Sequence, residues 1–330
     1  DCPIAPRRTG WTGLYAVPAD QGAGQTPDLP ALLQTHGIPY PLIRSSDLVG
    51  GLDRLSDAER WLLWVELPNL APPWHVAPRF VRRYFTEEEE ADEEPLTPLT
   101  KPPIGPIDVD DFTLTDRLQS TYAAAVTQLD DEMGAIVEEL ERRALLDEVL
   151  VVFLSDLGLP LGEHGIVGHS HPWPHDELIH LPLIVRLPRA AEAGRRIAAL
   201  TQPVDLMPTL LEWFGLPALP GHGQNLLPLM HGEIEQVRPY AVSLVAIGEA
   251  EEWALRTPEW GLVLPVQVPP EDAARGPQLY VKPDDRWEVN NVVQHHLELA
   301  EGLERTLRGF VEAVRLGTAL PPLPELESRL

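Results

Sequence analysis

STYAAAVTQLDDEMGAIVEELERRALLDEVLVVFLSDLGLPLGEHG, residues 120–165, carries a helix, a strand and a glycine-rich loop in one run. From just upstream of it, Leu118, Tyr122, Val126, Leu129, Met133, Ile136, Val137 and Leu140 recur three or four positions apart. That spacing is one face of an amphipathic helix and predicts a long helix within 113–146. EVLVVFLSD (148–156) then has the β-branched and aromatic composition of a strand buried on both faces, and HLPLIVRLP (180–188) reads as a second one. VDLMPTLLEWFG (204–215) predicts a helix with Asp205 as its cap, Pro208 in its first turn and Gly215 as its stop. Helices interleaved with buried strands predict an α/β fold with a mainly parallel central sheet flanked by helices.

Upstream, residues 1–24 are rich in turn formers and read as loop. PDLPALLQTHG (27–37) predicts a short helix between an Asp28 cap and a Gly37 stop. IPYPLIR (38–44) and WLLWVELP (61–68) have the length and composition of strands, and PRFVRRYF (78–85) that of a short helix. TEEEEADEEP follows, and its acidic stretch at 87–95 reads as a solvated linker. Downstream of about 235 the pattern changes to short strands separated by turn residues: YAVSLVAIG, EEWALRTP, GLVLPVQ and PQLYVK. These predict a small antiparallel sheet, closed by a helix near 295–315 with Leu299, Leu303, Leu307, Phe310, Val311 and Val314 on one face. The expected division is an α/β domain over 1–235 and an antiparallel subdomain over 236–330.

Composition narrows the function. The chain has 51 acidic residues against 25 lysines and arginines, a formal charge of -26. Such a surface repels nucleic acid and anionic membranes, so neither is an expected partner. The 36 prolines imply many fixed turns. The lone cysteine, Cys2, allows no intrachain disulfide, and no apolar run is long enough to span a bilayer. No signal peptide is visible, and the compartment stays open.

Several of these segments, in order, resemble the sulfatase family of the alkaline-phosphatase-like superfamily. The 120–165 stretch is similar to that family's long helix, buried strand and metal loop; LIHLPLIVRLP, VDLMPTLLEWFGLP and NLLPLMHGE follow in the family's order. EEWALRTPEWGLVL and QLYVKPDDRWEVNNVV resemble its C-terminal subdomain, and WVELPNLAPPWHVAPRF resembles a segment that crosses its active site. The resemblance implies a sandwich around a central sheet with an appended antiparallel sheet, and a family that is often exported. It also implies a chemistry with three parts. A cysteine or serine converted to formylglycine attacks sulfur, a divalent cation (usually calcium) polarises the sulfate, and lysines and histidines protonate the leaving oxygen.

Set against that pattern, the chain departs at several positions. Asp156 falls on a family metal ligand, but Leu157, whose side chain offers no lone pair, stands where His or Asn is usual. The family's remaining acidic ligands belong to a first strand that would precede Asp1. The nucleophile falls on Pro3, one residue from Cys2; Arg7 and the step Thr12–Tyr15 fit the pattern around it. Cys2 is therefore a candidate nucleophile or an ordinary thiol, and Arg7 a candidate binding residue. Ser45 and Asp47 occupy the Lys-x-His positions, Ala71 another histidine position, and His171 lies near the family's later lysine, which makes it the candidate catalytic replacement.

A second metal reading comes from His164, His169, His171, His175 and His180, which lie within seventeen residues and could hold zinc; His164 and His169 join Asp156 as candidate ligands. In the other reading His164 belongs to a structural Gly-Glu-His-Gly turn. Trp173, between prolines, is either a carbohydrate-stacking platform or a packed rim residue. Two functions follow. One is a pseudoenzyme with a binding or structural role, needing no cofactor. The other is an active metal-dependent hydrolase of sulfate or phosphate esters, using calcium or zinc. The expected ligand is a small molecule or carbohydrate of unknown identity.

Overall fold

The computed structural model describes residues 29–67, 70–85, 96–267 and 275–324. Helix α1 (Leu29–Thr35) leads into β1 (Leu42–Arg44), α2 (Leu48–Asp53), β2 (Trp64–Glu66) and α3 (Pro78–Val81). A two-residue strand β3 (Gly105–Pro106) precedes the long helix α4 (Phe112–Arg142). Then come β4 (Val151–Leu154), β5 (Ile166–Val167), α5 (Asp176–Ile179), β6 (Leu183–Arg186), α6 (Leu206–Trp213) and α7 (Leu227–Met230). The chain closes with β7 (Ala241–Ile247), β8 (Ala250–Arg256), β9 (Trp260–Gln267), β10 (Gln278–Val281) and α8 (Leu297–Leu316).

Local chemistry accounts for the helix ends. The Asp111 carboxylate accepts the amide of Leu114 at 2.9 Å and starts α4. Gly37 and Gly215 sit at φ +66° and +64°, the left-handed conformation that ends a helix and that glycine adopts without strain. On α4 the buried face runs through Leu118, Thr121, Ala124, Ala125, Leu129, Ile136 and Leu140. Val126, expected on that face, is 41% exposed; the small side chains of Ala124 and Ala125 take the core side of that turn instead. Asp205 departs from its expected role as well. Its side chain makes no cap bond to α6; it is fully buried and accepts the amides of Gln202 (2.7 Å) and Gln224 (2.8 Å) while pairing with Arg238. Burial pushes its carboxyl above the usual carboxylate range, against the pull of Arg238.

The α/β character holds, but the expected mainly parallel sheet is not what the described residues form. β1 and β2 pair in parallel, Leu42 opposite Trp64. β4 and β6 pair antiparallel, Val151 opposite Arg186. The reason for the difference is that a continuous apolar run reports burial, not strand direction. β4 is also half-buried at all four positions rather than fully enclosed; among the described residues its hydrogen-bonded neighbour is β6. Ile43, Leu48, Leu52, Ile136, Leu140 and Leu146 form one core cluster, which Val65 and Val151 join, so both strand pairs rest against α4.

The C-terminal part forms the expected meander, in the order β10-β9-β8-β7, all antiparallel. Helix α8 lays Leu303, Leu307, Phe310 and Val311 onto Leu255, Leu262, Leu264 and Leu279. Each such large side chain removed from water stabilises by about 1.5–3 kcal/mol. Gly317 at φ +65° ends the helix.

Candidate functional site

The C-terminal ends of β1 and β4 place the positions singled out from sequence. β4 delivers Ser155 and then Asp156 and Leu157, both exposed; the Ser155 hydroxyl turns back to donate to the Leu157 carbonyl at 2.9 Å. β1 delivers Ser45, whose hydroxyl donates to Glu132 on α4 at 3.1 Å. Cys2 and Arg7 lie outside the described residues, as do Asp28 and the acidic stretch 87–95. A calcium ion takes about six to eight oxygen ligands. Asp156 offers one carboxylate and Leu157 none, and among the described residues no three His, Cys, Asp or Glu converge to hold an ion. The described residues therefore do not fit the cation that the resemblance implies.

The histidine-rich loop is spread by its own hydrogen bonds instead of converging as a zinc site would. His164 Nδ1 lies 2.7 Å from Glu177 Oε1, and its Nε2 lies 3.4 Å from the Glu288 carbonyl. His169 Nε2 reaches the Gly158 carbonyl at 2.7 Å. His171 Nδ1 sits 3.0 Å from the Ser170 hydroxyl, and His180 projects outward, 79% exposed. His175 is buried with its Nδ1 2.6 Å from Glu288 Oε2. Trp173 is half-buried: its ring lies 4.9 Å from that of His175, and the Arg275 guanidinium stands 4.3 Å from its centre.

The most highly charged interior spot went unrecognised in the sequence. Lys282, 1% exposed, donates to Asp176 Oδ2 at 2.8 Å and to Glu288 Oε1 at 2.7 Å. Glu288 thus bridges Lys282 and His175, and it also accepts the amide of Asp176 at 3.3 Å. Burial opposes charge on Glu288, but the bonds from His175 and Lys282 outweigh it and hold its carboxyl below the ordinary range. On His164 burial again opposes charge, and the Glu177 carboxylate wins, raising its pKa above 6.5. Burial and the nearby Glu288 push the Tyr280 hydroxyl up as well. The ring of His164 stacks on that of His175 at 4.3 Å. One signal was available: the chain contains two lysines, and one of them, Lys282, directly follows the strand β10. The network ties the 162–180 loop to the turn after β10. It leaves the Nε2 of His175 and the Nε1 of Trp173 buried without a partner among the described residues.

A cleft of about 540 Å³ opens between α3 and α4. Trp74, Phe80 and Leu99 supply apolar walls; His75, Arg79, Gln128 and Glu132 supply polar groups. Its frame is hydrogen-bonded: the Ala77 amide donates to Gln128 Oε1 at 2.9 Å and the Leu99 amide to the Thr121 hydroxyl at 3.0 Å. Glu132 connects this cleft to Ser45.

Comparison with known proteins gives a consistent result. The sulfatase family model matches residues 46–216, just over half of the chain. An N-acetylglucosamine-6-O-sulfatase of Bacteroides thetaiotaomicron is 34% identical over 113 residues, 34% of this chain and 20% of that protein. Arylsulfatase K of Gallus gallus is 27% identical over 217 residues, 62% of this chain and 39% of the relative. The aligned stretches thus span well under half of these relatives. Among solved structures, one in complex with its substrate D-glucosamine-2-N,6-O-disulfate superposes with a TM-score of 0.66 at 18% identity, covering 90% of this chain and 83% of that one. The phosphonate monoester hydrolase of Agrobacterium radiobacter superposes at 0.63 with 21% identity, over 81% and 59% of the two chains. At these identities the superpositions establish a shared fold.

Proposed function

Because this chain belongs to the sulfatase family, we propose that it keeps the family scaffold for binding or assembly and does not hydrolyse sulfate esters. The carrying observation is what stands at the ends of β1 and β4. Asp156 is exposed beside an aprotic Leu157, and Ser45, in a position where the resemblance calls for lysine, is bonded to Glu132. Removing a single oxyanion donor costs about 10²–10³ in rate, so losing several such groups together removes measurable turnover. The cleft beside Glu132 is the place for a ligand, since it combines apolar walls with a few convergent polar groups. The rival, a hydrolase of sulfate or phosphate esters, draws support from the named activities of the relatives. Calorimetric titration of calcium, then zinc, into the EDTA-stripped chain separates the two, together with assays on aryl sulfate and aryl phosphate. The proposal expects no heat and no turnover. Calcium-dependent turnover abolished by Asp156→Asn would overturn it.

A further inference from the structure

Eight large apolar side chains among the described residues are at least 58% exposed, and five of them belong to two neighbouring segments: Ile104, Val109 and Phe112 before and at the start of α4, and Trp287 and Val289 after β10. Phe112 (76%) and Val289 (73%) are the two most exposed of all. Isolated exposed apolar residues are ordinary, but a concentration on one face marks an interaction site.

The Gly162–Gly168 loop brings the segments together. A Cβ placed on Gly165 would stand 3.3 Å from Val109 Cγ1, and one on Gly168 would stand 3.6 Å from Ile104. The Ile107 amide donates to the Gly165 carbonyl at 2.9 Å. In the same loop, His164 Nε2 lies 3.4 Å from the carbonyl of Glu288, the residue between Trp287 and Val289. Glu288 itself has φ +53°, a strained conformation for a non-glycine residue, and its carboxylate is anchored inward on His175 and Lys282. With the central residue of the turn pulled into the interior, its two apolar neighbours are held outward.

The same two segments and the loop between them carry carboxylates: Asp108, Asp110, Asp111, Glu163 and Asp284 are exposed and Asp285 is half-exposed. Two of them also serve locally, Asp111 as the α4 cap and Asp285 as acceptor of the Val289 and Asn290 amides. Arg286 lies over the Trp287 ring at 5.1 Å, and Lys101, three residues before Ile104, is exposed. An anionic membrane is repelled by such a surface, and so is a second copy of a chain carrying -26 formal charges.

We infer that this face docks a partner protein through a basic amphipathic segment, with apolar residues seated on Phe112, Val109, Trp287 and Val289 and flanking lysines or arginines facing the carboxylates. The apolar side chains supply affinity, and the carboxylates supply attraction and orientation.

The test uses the full chain and a labelled helical peptide of leucine and lysine, followed by fluorescence anisotropy. The comparison peptide has the same lysines with serine in place of leucine. The inference expects the leucine peptide to bind at least about ten-fold tighter. Phe112→Ser/Trp287→Ser should erase that preference, and Val289→Ser alone should reduce it; Leu42→Ser, a comparably exposed position on β1, should leave it intact. All four side chains are exposed, and thermal melts establish that the variants fold. Equal binding of the two peptides would overturn the inference. So would a preference that survives in the double variant, or sedimentation showing a dimer of the wild-type chain that Phe112→Ser/Trp287→Ser dissociates.

Discussion

Replacing Glu288 by Gln tests the buried network at its centre. The substitution keeps size and shape but removes the charge between His175 (2.6 Å) and Lys282 (2.7 Å). It also turns an amide donor toward one of two donors. Lys282 keeps its bond to Asp176, whose side chain is 23% exposed, and so remains a buried ammonium with half of its compensation. Breaking a buried pair by removing one partner costs about 3–5 kcal/mol. For a chain of 330 residues, at about 2.1 cal/mol/K per residue, that corresponds to a fall in melting temperature of about 4–7 °C. The sign with pH follows from the depressed carboxyl of Glu288. Its contribution is present above the ordinary value of 4.5 and is lost as pH falls through the lower folded value, so the gap between wild type and variant should close in acid. The assay is calorimetric melting at neutral and acid pH of Glu288→Gln, Glu288→Leu, Lys282→Met and the double variant Lys282→Met/Glu288→Leu. Replacing both partners with apolar groups removes the buried ammonium and the buried carboxylate together and leaves only the part-exposed Asp176 without its lysine, so the double variant should lose markedly less than the sum of the Lys282→Met and Glu288→Leu losses. A single variant within about 1 kcal/mol of wild type, or strict additivity, would refute the reasoning.

Three other outcomes can be checked with the same equipment. The raised pKa of His164 means that its bond to Glu177 contributes fully below 6.5 and is lost as pH rises through the higher folded value; His164→Gln should therefore flatten the fall of the melting temperature as pH rises above 6.5, and an unchanged pH profile would count against that pairing. Leu307, fully buried where α8 meets the meander, should lose about 2–5 kcal/mol on change to Ala, read by denaturant unfolding. A Cβ at Gly158 would stand 2.0 Å from the Glu177 carbonyl oxygen and 2.7 Å from Leu178 Cα; both are backbone atoms that cannot swing aside, so Gly158→Ala should cost more than about 3 kcal/mol or abolish soluble expression, and near-wild-type melting would show that the 158–178 contact is looser than described.

Much of the scaffold was legible because its signals are local. The three-and-four spacing of α8 marked Leu303, Leu307 and Phe310, and all are buried. The reading faltered where two local patterns compete for one turn, as at Val126 beside Ala124 and Ala125, and where burial had to stand in for direction, as in β4 and β6. It also misjudged groups whose partners are remote. Asp205 looked like a helix cap, yet it pairs with Arg238, 33 residues away. The five histidines looked like one cluster because they are close in sequence, yet His164 and His175 are both held by the turn at Glu288, more than a hundred residues on.

Helix faces, glycine stops, the C-terminal meander and the family resemblance follow from the sequence alone, because each depends on residues within a few positions of one another or on the order of such segments. The engagement of Ser45 with Glu132, the exposure of Asp156, the buried triangle of Lys282, Glu288 and Asp176, and the exposed face around Phe112 and Trp287 were decided by the tertiary structure. Lys282 and Asp176 are 106 positions apart. Whether a charge finds its counter-charge at that separation depends on the path of the whole chain, and local propensity carries no information about it.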